Sequence, residues 1–315
     1  MNFAFIYPGQ GAQYPQMAKV YFETFEIFKH TLEEAEDVLE LSLKKILFEM
    51  SEQDLGRTFN SQLALFVSSC GIQRVVEKQF PNLKPSFVAG LSLGEYSALY
   101  ASQTLSFKDA LKLVHVRAKE MTKACKENKG ALAVVLGLGK DILFQGIKEL
   151  NIPNEIWIAN LNCPGQVVLS GSVKGVEAAV KMAKDLGAKK VVMPITEGAF
   201  HSGLMQGAQN GLREQIEDSS FSMPKTPLIM NVCAKEAKDL TELKENLISQ
   251  VSSTTYWEDS IRHLLDKGVN QFVEVGVGKI LTGLNRRIDK SIKTVNLDHA
   301  KALEELCAWQ DSINA

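Results

Sequence analysis

The sequence has few cysteines and no arrangement of them that would bind a metal or cross-link a fold. Five cysteines are spread over 315 residues, and no two of them form a C-x-x-C pair. An odd number of scattered cysteines argues against both a disulfide framework and a zinc site. We therefore interpret them as small buried hydrophobic residues and expect no metal site.

The chain also lacks an excess of charge of either sign. Its 35 Lys and Arg residues against 37 Asp and Glu residues give a formal net charge of −2. Without a general basic field, neither nucleic acid nor an anionic membrane is an expected partner. No apolar stretch approaches the ~18 residues of a membrane span, and the N-terminus carries no leader-like pattern. With 45% hydrophobic residues, the expectation is a globular cytoplasmic protein.

No internal repeat or low-complexity linker divides the chain. Strand-like and helix-like segments alternate, which is typical of an α/β fold with a mainly parallel sheet. Strands are predicted at 3–7, 85–90, 227–232, 271–276 and 292–297, and helices at about 16–29, 31–48, 60–79, from 95, at 107–127, at 277–289 and at the C-terminal end.

The middle of the chain has a different order of elements. Strands are predicted at 130–138, 155–160, 166–171 and 188–195, with helices at 141–150 and 173–187. The order β-α-β-β-α-β is typical of a ferredoxin-like unit. We expect an inserted small domain here, residues 127–197, within a larger domain formed by residues 1–126 and 198–315.

A G-x-S-x-G motif, Gly90 to Gly94, lies between a predicted strand and a predicted helix. The motif alone occurs often by chance. In this context the glycines permit a tight turn that exposes the Ser92 hydroxyl at the helix N-terminus. Ser92 is therefore the candidate nucleophile.

A serine nucleophile needs a base, and the chain has five histidines. His201 stands apart because EGAFHSGLM places it in a glycine-flanked loop after a predicted strand. A loop histidine without a role is the alternative. The acidic residues between Ser92 and His201 fall on predicted helices, so a Ser-His pair oriented by a backbone carbonyl is favoured over a full triad.

Arg117 projects from the apolar stripe of the 107–127 helix, with Ala110, Leu113, Val114 and Met121 at helical spacing. A buried arginine requires an anion, because removing its charge from water costs several kcal/mol, roughly. Either an internal carboxylate or a substrate carboxylate satisfies that requirement, and a snorkelling arginine is a third possibility.

Six motifs together resemble the malonyl-CoA:acyl carrier protein transacylases of dissociated fatty acid synthesis, from Phe3 to about Leu297. They are YPGQGAQ (7–13), GLSLGEYSAL (90–99), VRAKEM (116–121), NLNCPGQVVLSG (160–171), AFHSGLM (199–205) and VEVGVGKILTGL (273–284). The resemblance implies an α/β-hydrolase-like large domain with the ferredoxin-like insert, and a ping-pong reaction through a malonyl-serine intermediate.

The resemblance also implies roles for individual residues. Ser92 attacks the thioester and His201 takes its proton, while the Gln250 backbone carbonyl orients His201. The backbone N–H groups of Gln10 and Leu93 form the oxyanion hole, and Arg117 holds the malonyl carboxylate. Phe200, Asn160 and Asn162 are expected to contact the substrate.

The implied partners are malonyl-CoA and an acyl carrier protein. CoA enters as part of the substrate, phosphopantetheine belongs to the carrier, and no separate cofactor is expected. Carrier proteins of this type are acidic, so the exposed pairs Lys189 with Lys190 and Arg286 with Arg287 are candidates for a local basic patch, although such pairs are commonly only solvated.

The chain departs from the family at two positions beside the site: Leu91 replaces the usual histidine and Ala118 the usual glycine. The sequence Ala199-Phe200-His201 resembles malonyl-selecting polyketide acyltransferases. Three alternatives stay open: a serine hydrolase or thioesterase, a malonyl-loading acyltransferase of a polyketide pathway, and a catalytically silent subunit.

Overall fold

The structure, a computed structural model, describes residues 2–194 and 197–314. Its strands are β1 (Phe3–Tyr7), β2 (Phe87–Gly90), β3 (Gly130–Leu136), β4 (Ile156–Cys163), β5 (Gln166–Ser172), β6 (Lys190–Val192), β7 (Leu228–Ile229), β8 (Gln271–Glu274) and β9 (Lys293–Asn296). Its α-helices are α1 (Lys19–Thr24), α2 (Glu26–Leu39), α3 (Leu43–Phe48), α4 (Glu52–Leu55), α5 (Thr58–Gln79), α6 (Gly94–Ala101), α7 (Phe107–Glu127), α8 (Lys140–Leu150), α9 (Val173–Asp185), α10 (Gln206–Asp218), α11 (Leu240–Ser249), α12 (Trp257–Asp266), α13 (Ile280–Ile288) and α14 (Ala302–Asn314). None of these helices combines the length and apolar character that a membrane crossing needs.

A parallel sheet with strand order β7-β2-β1-β8-β9 forms the centre of the molecule. Every residue of β1 is buried. Phe3, Phe5 and Tyr7 face one core, which includes α5 and α7, whereas Ala4 and Ile6 face a second core, which includes α12 and α13. Helices therefore cover both faces, which explains the uninterrupted apolar run FAFIY. The predicted α/β fold with a parallel sheet is confirmed.

The register of the sheet brings two loops together. β1 and β2 are parallel neighbours, with Tyr7 opposite Gly90 at their carboxyl ends. The loop that follows β1 and the turn that contains Ser92 therefore start side by side. Crevices at the carboxyl ends of parallel strands are where open α/β sheets bind ligands.

A second sheet has the strand order β4-β5-β3-β6, and all its neighbouring strands are antiparallel. Its own apolar cluster contains residues of α8 and α9, including Leu143, Val176 and Ala179. An isolated bridge between Asn160 of β4 and Thr255 connects this sheet to the rest of the molecule.

Several predicted boundaries are wrong. The helix expected at 16–29 is interrupted at Phe25, whose backbone is extended, and the one expected at 31–48 is interrupted at Glu40, whose φ is +53°. The helical stripe of apolar residues continues across both breaks, so periodicity alone did not reveal them. The strand predicted at 188–195 is shorter, and its last residue, Ile195, lies outside the described residues.

Candidate active site

Ser92 lies in a tight turn between the end of β2 and the start of α6. Its φ of +53° is in the left-handed region, which non-glycine residues rarely adopt. A Cβ atom on Gly90 would lie 2.0 Å from the Gly94 backbone, and one on Gly94 would lie 2.1 Å from the Tyr7 carbonyl oxygen. The turn can therefore form only with glycine on both sides, as the G-x-S-x-G motif predicts.

The imidazole of His201 lies between Ser92 and two backbone carbonyls. Its Nε2 is 2.8 Å from Ser92 Oγ, and its Nδ1 is 2.9 Å from the Gln250 carbonyl oxygen and 3.2 Å from that of Ser253. Because carbonyls only accept, Nδ1 carries the proton and Nε2 accepts from the serine hydroxyl. Among the residues that the structure describes, no carboxylate hydrogen-bonds to the ring. The Ser253 contact had no signal in the sequence.

The environment keeps His201 neutral. Only 5% of its surface is exposed. Burial, followed by the positive charge of Arg117, lowers the pKa of His201 to about 4, although its hydrogen bonds to the Gln250 and Ser253 carbonyls act in the opposite direction. At neutral pH the imidazole is therefore unprotonated and can accept a proton from Ser92.

Arg117 is buried, with 1% of its surface exposed, and points at the same serine. One terminal nitrogen donates to Gln62 Oε1 at 2.7 Å, and the other donates to Ser92 Oγ at 3.1 Å and to Gln250 Oε1 at 3.0 Å. The guanidinium lies over the ring of Tyr96, 5.4 Å from its centroid. Within the described part of the chain, no ion pair at 4.0 Å or less involves Arg117. The internal ion pair considered from the sequence is therefore not formed by these residues.

The side chain of Gln250 joins three parts of the site. Its amide nitrogen donates to the Ser92 carbonyl oxygen at 2.8 Å and to Glu95, and its oxygen accepts from Arg117. Burial raises the pKa of Glu95 to about 7, whereas hydrogen bonds from Gln250 and Asn231 and the charge of Arg117 lower it. Sequence reasoning assigned Gln250 only a backbone role.

Asn231 holds the turn from the other side. Its Oδ1 accepts from the Ser92 backbone N–H at 2.6 Å, its Nδ2 donates to the Gly90 carbonyl at 2.6 Å, and its backbone N–H donates to Glu95 at 3.1 Å. Sequence reasoning missed both Asn231 and Glu95. Asn231 belonged to a predicted strand, and Glu95 is an ordinary residue type for the first turn of a helix, so neither had a distinguishing signal.

The loop after β1 packs directly against the serine turn. A Cβ atom on Gly9 would lie 2.3 Å from the Leu91 carbonyl oxygen, and Gly11 has a φ of +104°. Only residues without a side chain allow this approach. No described group accepts a hydrogen bond from the backbone N–H of Gln10 or Leu93.

Three further residues were predicted to contact the substrate. Phe200 is 8% exposed and directly precedes His201. Asn160 bridges to Thr255, whose hydroxyl is 3.5 Å from His201 Nδ1. The Asn162 Oδ1 atom is buried and has no hydrogen-bond partner. In the described residues, the side chains of Asn160 and Asn162 do not hydrogen-bond to the serine, the histidine or Arg117.

No group of three or more His, Cys, Asp or Glu side chains within residues 2–194 and 197–314 is arranged to hold a metal ion. The chemistry that the described groups can perform is nucleophilic attack by a serine with a neutral histidine as base, next to a buried cation.

Comparisons with known proteins identify the family. The family model for the acyl transferase domain matches residues 4–297. The malonyl CoA-acyl carrier protein transacylase of Bacillus subtilis (strain 168) is 38% identical over 302 residues, which are 96% of this chain and 95% of that protein. The enzyme of the same name from Staphylococcus aureus (strain COL) is 35% identical over 310 residues, 98% of each chain.

Two solved structures are similar over nearly their whole length. The acyl-carrier-protein-S-malonyltransferase of Bartonella henselae has a TM-score of 0.94 and 37% identity, covering 98% of this chain and 99% of its own. A malonyl-transacylase solved in complex with a type II polyketide acyl carrier protein has a TM-score of 0.93 and 32% identity, covering 96% and 98%. The chain therefore belongs to the acyl transferase domain family, among the malonyl-CoA:acyl carrier protein transacylases.

Proposed function

We propose that this enzyme transfers the malonyl group from malonyl-CoA to the phosphopantetheine thiol of an acyl carrier protein, supplying extender units for fatty acid synthesis. The observation that carries the proposal is the meeting of His201 and Arg117 at the Ser92 oxygen, at 2.8 and 3.1 Å. His201 can act as the base that activates the nucleophile, and the buried Arg117 guanidinium beside it can bind an anionic group of the substrate. Malonyl thioesters place a carboxylate one methylene away from the reacting carbonyl, which suits this spacing.

The reaction runs in two similar halves. Ser92 Oγ bonds to the thioester carbonyl carbon while His201 Nε2 takes the hydroxyl proton. The tetrahedral intermediate collapses, the C–S bond breaks, and the CoA thiolate leaves with the proton from His201. The phosphopantetheine thiol then gives its proton to His201 and attacks the malonyl-serine ester. The C–O bond to Ser92 breaks, and the serine oxygen takes the proton back from His201, which regenerates the enzyme.

The oxyanion of each intermediate is proposed to bind the N–H groups of Gln10 and Leu93. Both donors are unused within the described residues, and the close packing of Gly9 against Leu91 fixes the two segments relative to each other. Such preorganised donors stabilise a transition state by about 3 kcal/mol each.

The remaining contacts are proposed for the rest of the substrate. Phe200 lies beside the acyl group and crowds branched extenders, while Asn160 and Asn162 contact the donor. The buried Asn162 Oδ1 has no hydrogen-bond partner in the described residues and could accept a hydrogen bond from an N–H group of the donor. No cofactor of its own is needed, since CoA arrives with the donor and phosphopantetheine with the carrier, and we place the reaction in the cytoplasm.

We also propose the domain division 1–126 with 198–315, α/β-hydrolase-like, and 127–197, ferredoxin-like. All strands of the antiparallel sheet fall within 127–197, and their order β4-β5-β3-β6 is that of a ferredoxin-like unit. The serine turn at the carboxyl end of a parallel strand supports the hydrolase-like assignment of the larger part.

Loading of a polyketide carrier is the second candidate, because one similar solved structure contains a type II polyketide carrier protein. Its chemistry would be the same, so only the identity of the carrier separates the two functions. A hydrolase is disfavoured because a buried guanidinium donates to the nucleophile, a feature that hydrolysis of a neutral ester does not require.

Arg117→Ala is expected to remove the preference for malonyl over acetyl groups. The acylation rate with malonyl-CoA relative to acetyl-CoA should fall about 10- to 100-fold, since a buried charge-assisted pair is lost. Intact mass spectrometry of the Ser92 adduct over time measures both rates. Arg213→Ala, at a half-exposed arginine paired with Glu217 and Glu245, is the control; if Arg117→Ala kept the wild-type ratio, another group would bind the carboxylate.

The carrier protein is proposed to dock through a local basic patch, and the candidates are two pairs that could flank the cleft, Lys189 with Lys190 and Arg286 with Arg287, all of which are exposed. The two pairs lie at opposite edges of the antiparallel sheet: burial raises the pKa of the Cys163 thiol at the end of β4 and the charge of Arg287 acts on this thiol to lower it, whereas Lys190 begins β6, and the strand order is β4-β5-β3-β6. The helix α13, which carries Arg286 and Arg287, starts at Ile280 beside the loop after β1, and this contact supports the arginine pair as the first to test.

Charge reversal of Arg286 and Arg287 to glutamate is expected to raise the KM for the carrier protein about 10-fold at low salt, and less at high salt because screening weakens exposed charges. Steady-state transfer at two ionic strengths measures this. Lys181→Glu with Lys184→Glu, on the exposed side of α9, makes the same charge change elsewhere. Equal effects of the two double variants would show that only net charge matters.

A further inference from the structure

The two ends of the Gln250 side-chain amide are not interchangeable in this site. Both hydrogens of the nitrogen are used, one by the Ser92 carbonyl oxygen at 2.8 Å and one by Glu95. The oxygen accepts from Arg117 at 3.0 Å. Turning the amide over would place an NH2 group against the guanidinium and an oxygen against two acceptors, so one orientation alone satisfies all partners.

Glu95 and the Ser92 carbonyl oxygen together select that orientation. It is 1% exposed, and its two oxygens face two N–H groups: one accepts from the Asn231 backbone at 3.1 Å and the other from the Gln250 amide. The hydrogen bonds from Gln250 and Asn231 and the charge of Arg117 favour the ionised form of Glu95, which can only accept. The Gln250 nitrogen must therefore face Glu95, which leaves the Gln250 oxygen facing Arg117.

This arrangement also places the Gln250 amide between two buried groups of opposite charge, the Glu95 carboxylate and the Arg117 guanidinium. Glu95 and Arg117 are both fully buried and form no direct ion pair, yet each lowers the cost of the other's charge across one amide group. Glu95 lies in the first turn of α6, three residues after the nucleophile, whereas Arg117 lies on α7. The Gln250 amide between them fixes the guanidinium relative to the serine turn.

We propose that Glu95 is a positioning residue for malonyl selectivity: through the orientation of the Gln250 amide, it aims the Arg117 guanidinium at the place where the malonyl carboxylate binds. The inference rests on the proposed function of Arg117. It adds a residue that touches neither substrate nor nucleophile side chain but sets the discrimination between malonyl and acetyl groups.

Glu95→Gln is the direct test because it keeps size and shape. Whichever way the new amide is placed, its NH2 group faces an N–H donor, either that of Asn231 or that of Gln250. Because the Asn231 donor is a fixed backbone group, it keeps the amide oxygen as its acceptor, and the new NH2 group faces the Gln250 side chain. The Gln250 contact then weakens or its amide turns over, and Arg117 loses an acceptor. The malonyl-to-acetyl ratio of acylation rates is expected to fall about 10-fold, as measured by mass spectrometry of the Ser92 adduct.

A double-mutant cycle separates this role from a general loss of structure. If Glu95 acts through Arg117, Glu95→Gln should not lower the ratio further in the Arg117→Ala background. Glu274→Gln is the matched control, since Glu274 is another buried glutamate, which accepts hydrogen bonds from Leu281, Thr282 and Asn296 away from the serine. It should lower the melting temperature and leave the ratio unchanged.

The outcomes are distinguishable. If Arg117→Ala lowers the ratio and Glu95→Gln does not, the role of Glu95 is wrong and the proposed function stands. If Arg117→Ala leaves the ratio unchanged, the proposed role of Arg117 itself fails. Additive losses in the double variant would assign Glu95 an effect independent of Arg117 and overturn the inference.

Should Glu95→Gln prevent folding, Glu95→Asp and Gln250→Leu carry the same test. Aspartate keeps an acceptor-only carboxylate and should retain more of the ratio than Gln250→Leu, which removes the amide altogether. An equal ratio in both folded variants would contradict the role of the amide.

Discussion

Ser92→Ala is expected to abolish the malonyl adduct and, with it, all transfer to the carrier protein. The reason is stoichiometric: in a ping-pong reaction the acyl group must rest on the enzyme between its two thiol partners, and the Ser92 oxygen is the atom that His201 and Arg117 both contact. Incubation with malonyl-CoA and intact mass spectrometry of both proteins provides the measurement.

The control for this experiment is Ser106→Ala. Ser106 caps the N-terminus of α7 by accepting from the Asp109 backbone, so its loss should cost about 1 kcal/mol of stability and leave the adduct intact. A malonyl adduct that persisted on Ser92→Ala would identify a different nucleophile. An adduct that formed on the wild-type protein but was released only to water would indicate a hydrolase instead of a transferase.

The sequence could locate Ser92 and His201 because their signals are local. The glycines two residues before and after the serine and the strand before them lie within about ten residues of sequence, and the glycine-flanked loop after a predicted strand set His201 apart from the other histidines. The parallel sheet was predictable for the same reason, since the all-apolar β1 can lie only at the centre of a doubly covered sheet.

The network behind the serine could not be predicted in this way. Asn231 and Glu95 are hydrogen-bonded although they are 136 residues apart in the sequence, and Gln250 and Ser92 are hydrogen-bonded across 158 residues. Such contacts depend on which strand ends lie side by side, which no local pattern contains. The predicted strand at 227–232 ends at Ile229 in the structure, and Asn231 is free to turn toward the serine.

His201→Ala is expected to slow acylation of Ser92 about 10²- to 10⁴-fold, the usual contribution of a general base. Stopped-flow or quenched-flow mass analysis with acetyl-CoA and malonyl-CoA measures the acylation step directly. His263→Ala, which breaks a contact with Glu236 elsewhere on the molecule, is the matched control. A loss of less than tenfold would mean that Ser92 has another base.

The pH dependence of the same step tests why His201 is neutral. Its pKa is lowered to about 4 by burial and then by the charge of Arg117, so kcat/KM with acetyl-CoA should decline only as the pH approaches 4. Burial raises the pKa of Glu95 to about 7, so a transition near neutral pH would be assigned to Glu95 and not to His201. The unfolded chain binds the histidine proton more tightly, so acid below about pH 6.5 also reduces stability, and unfolding must be followed in parallel.

Arg117 links recognition of the substrate carboxylate to the basicity of His201. A malonyl carboxylate bound to the guanidinium compensates the second of the two causes that lower the His201 pKa, so the histidine should become a stronger base when malonyl is bound than when acetyl is bound. The acid limb of kcat for malonyl-CoA should therefore lie at higher pH than that for acetyl-CoA.

Arg117→Ala should move the acid limb of kcat/KM to higher pH for both donors. It should also remove the difference between the kcat profiles of malonyl-CoA and acetyl-CoA. An acid limb that stayed in place in Arg117→Ala would mean that burial alone keeps His201 neutral, and that the arginine contributes to selectivity only by holding the carboxylate.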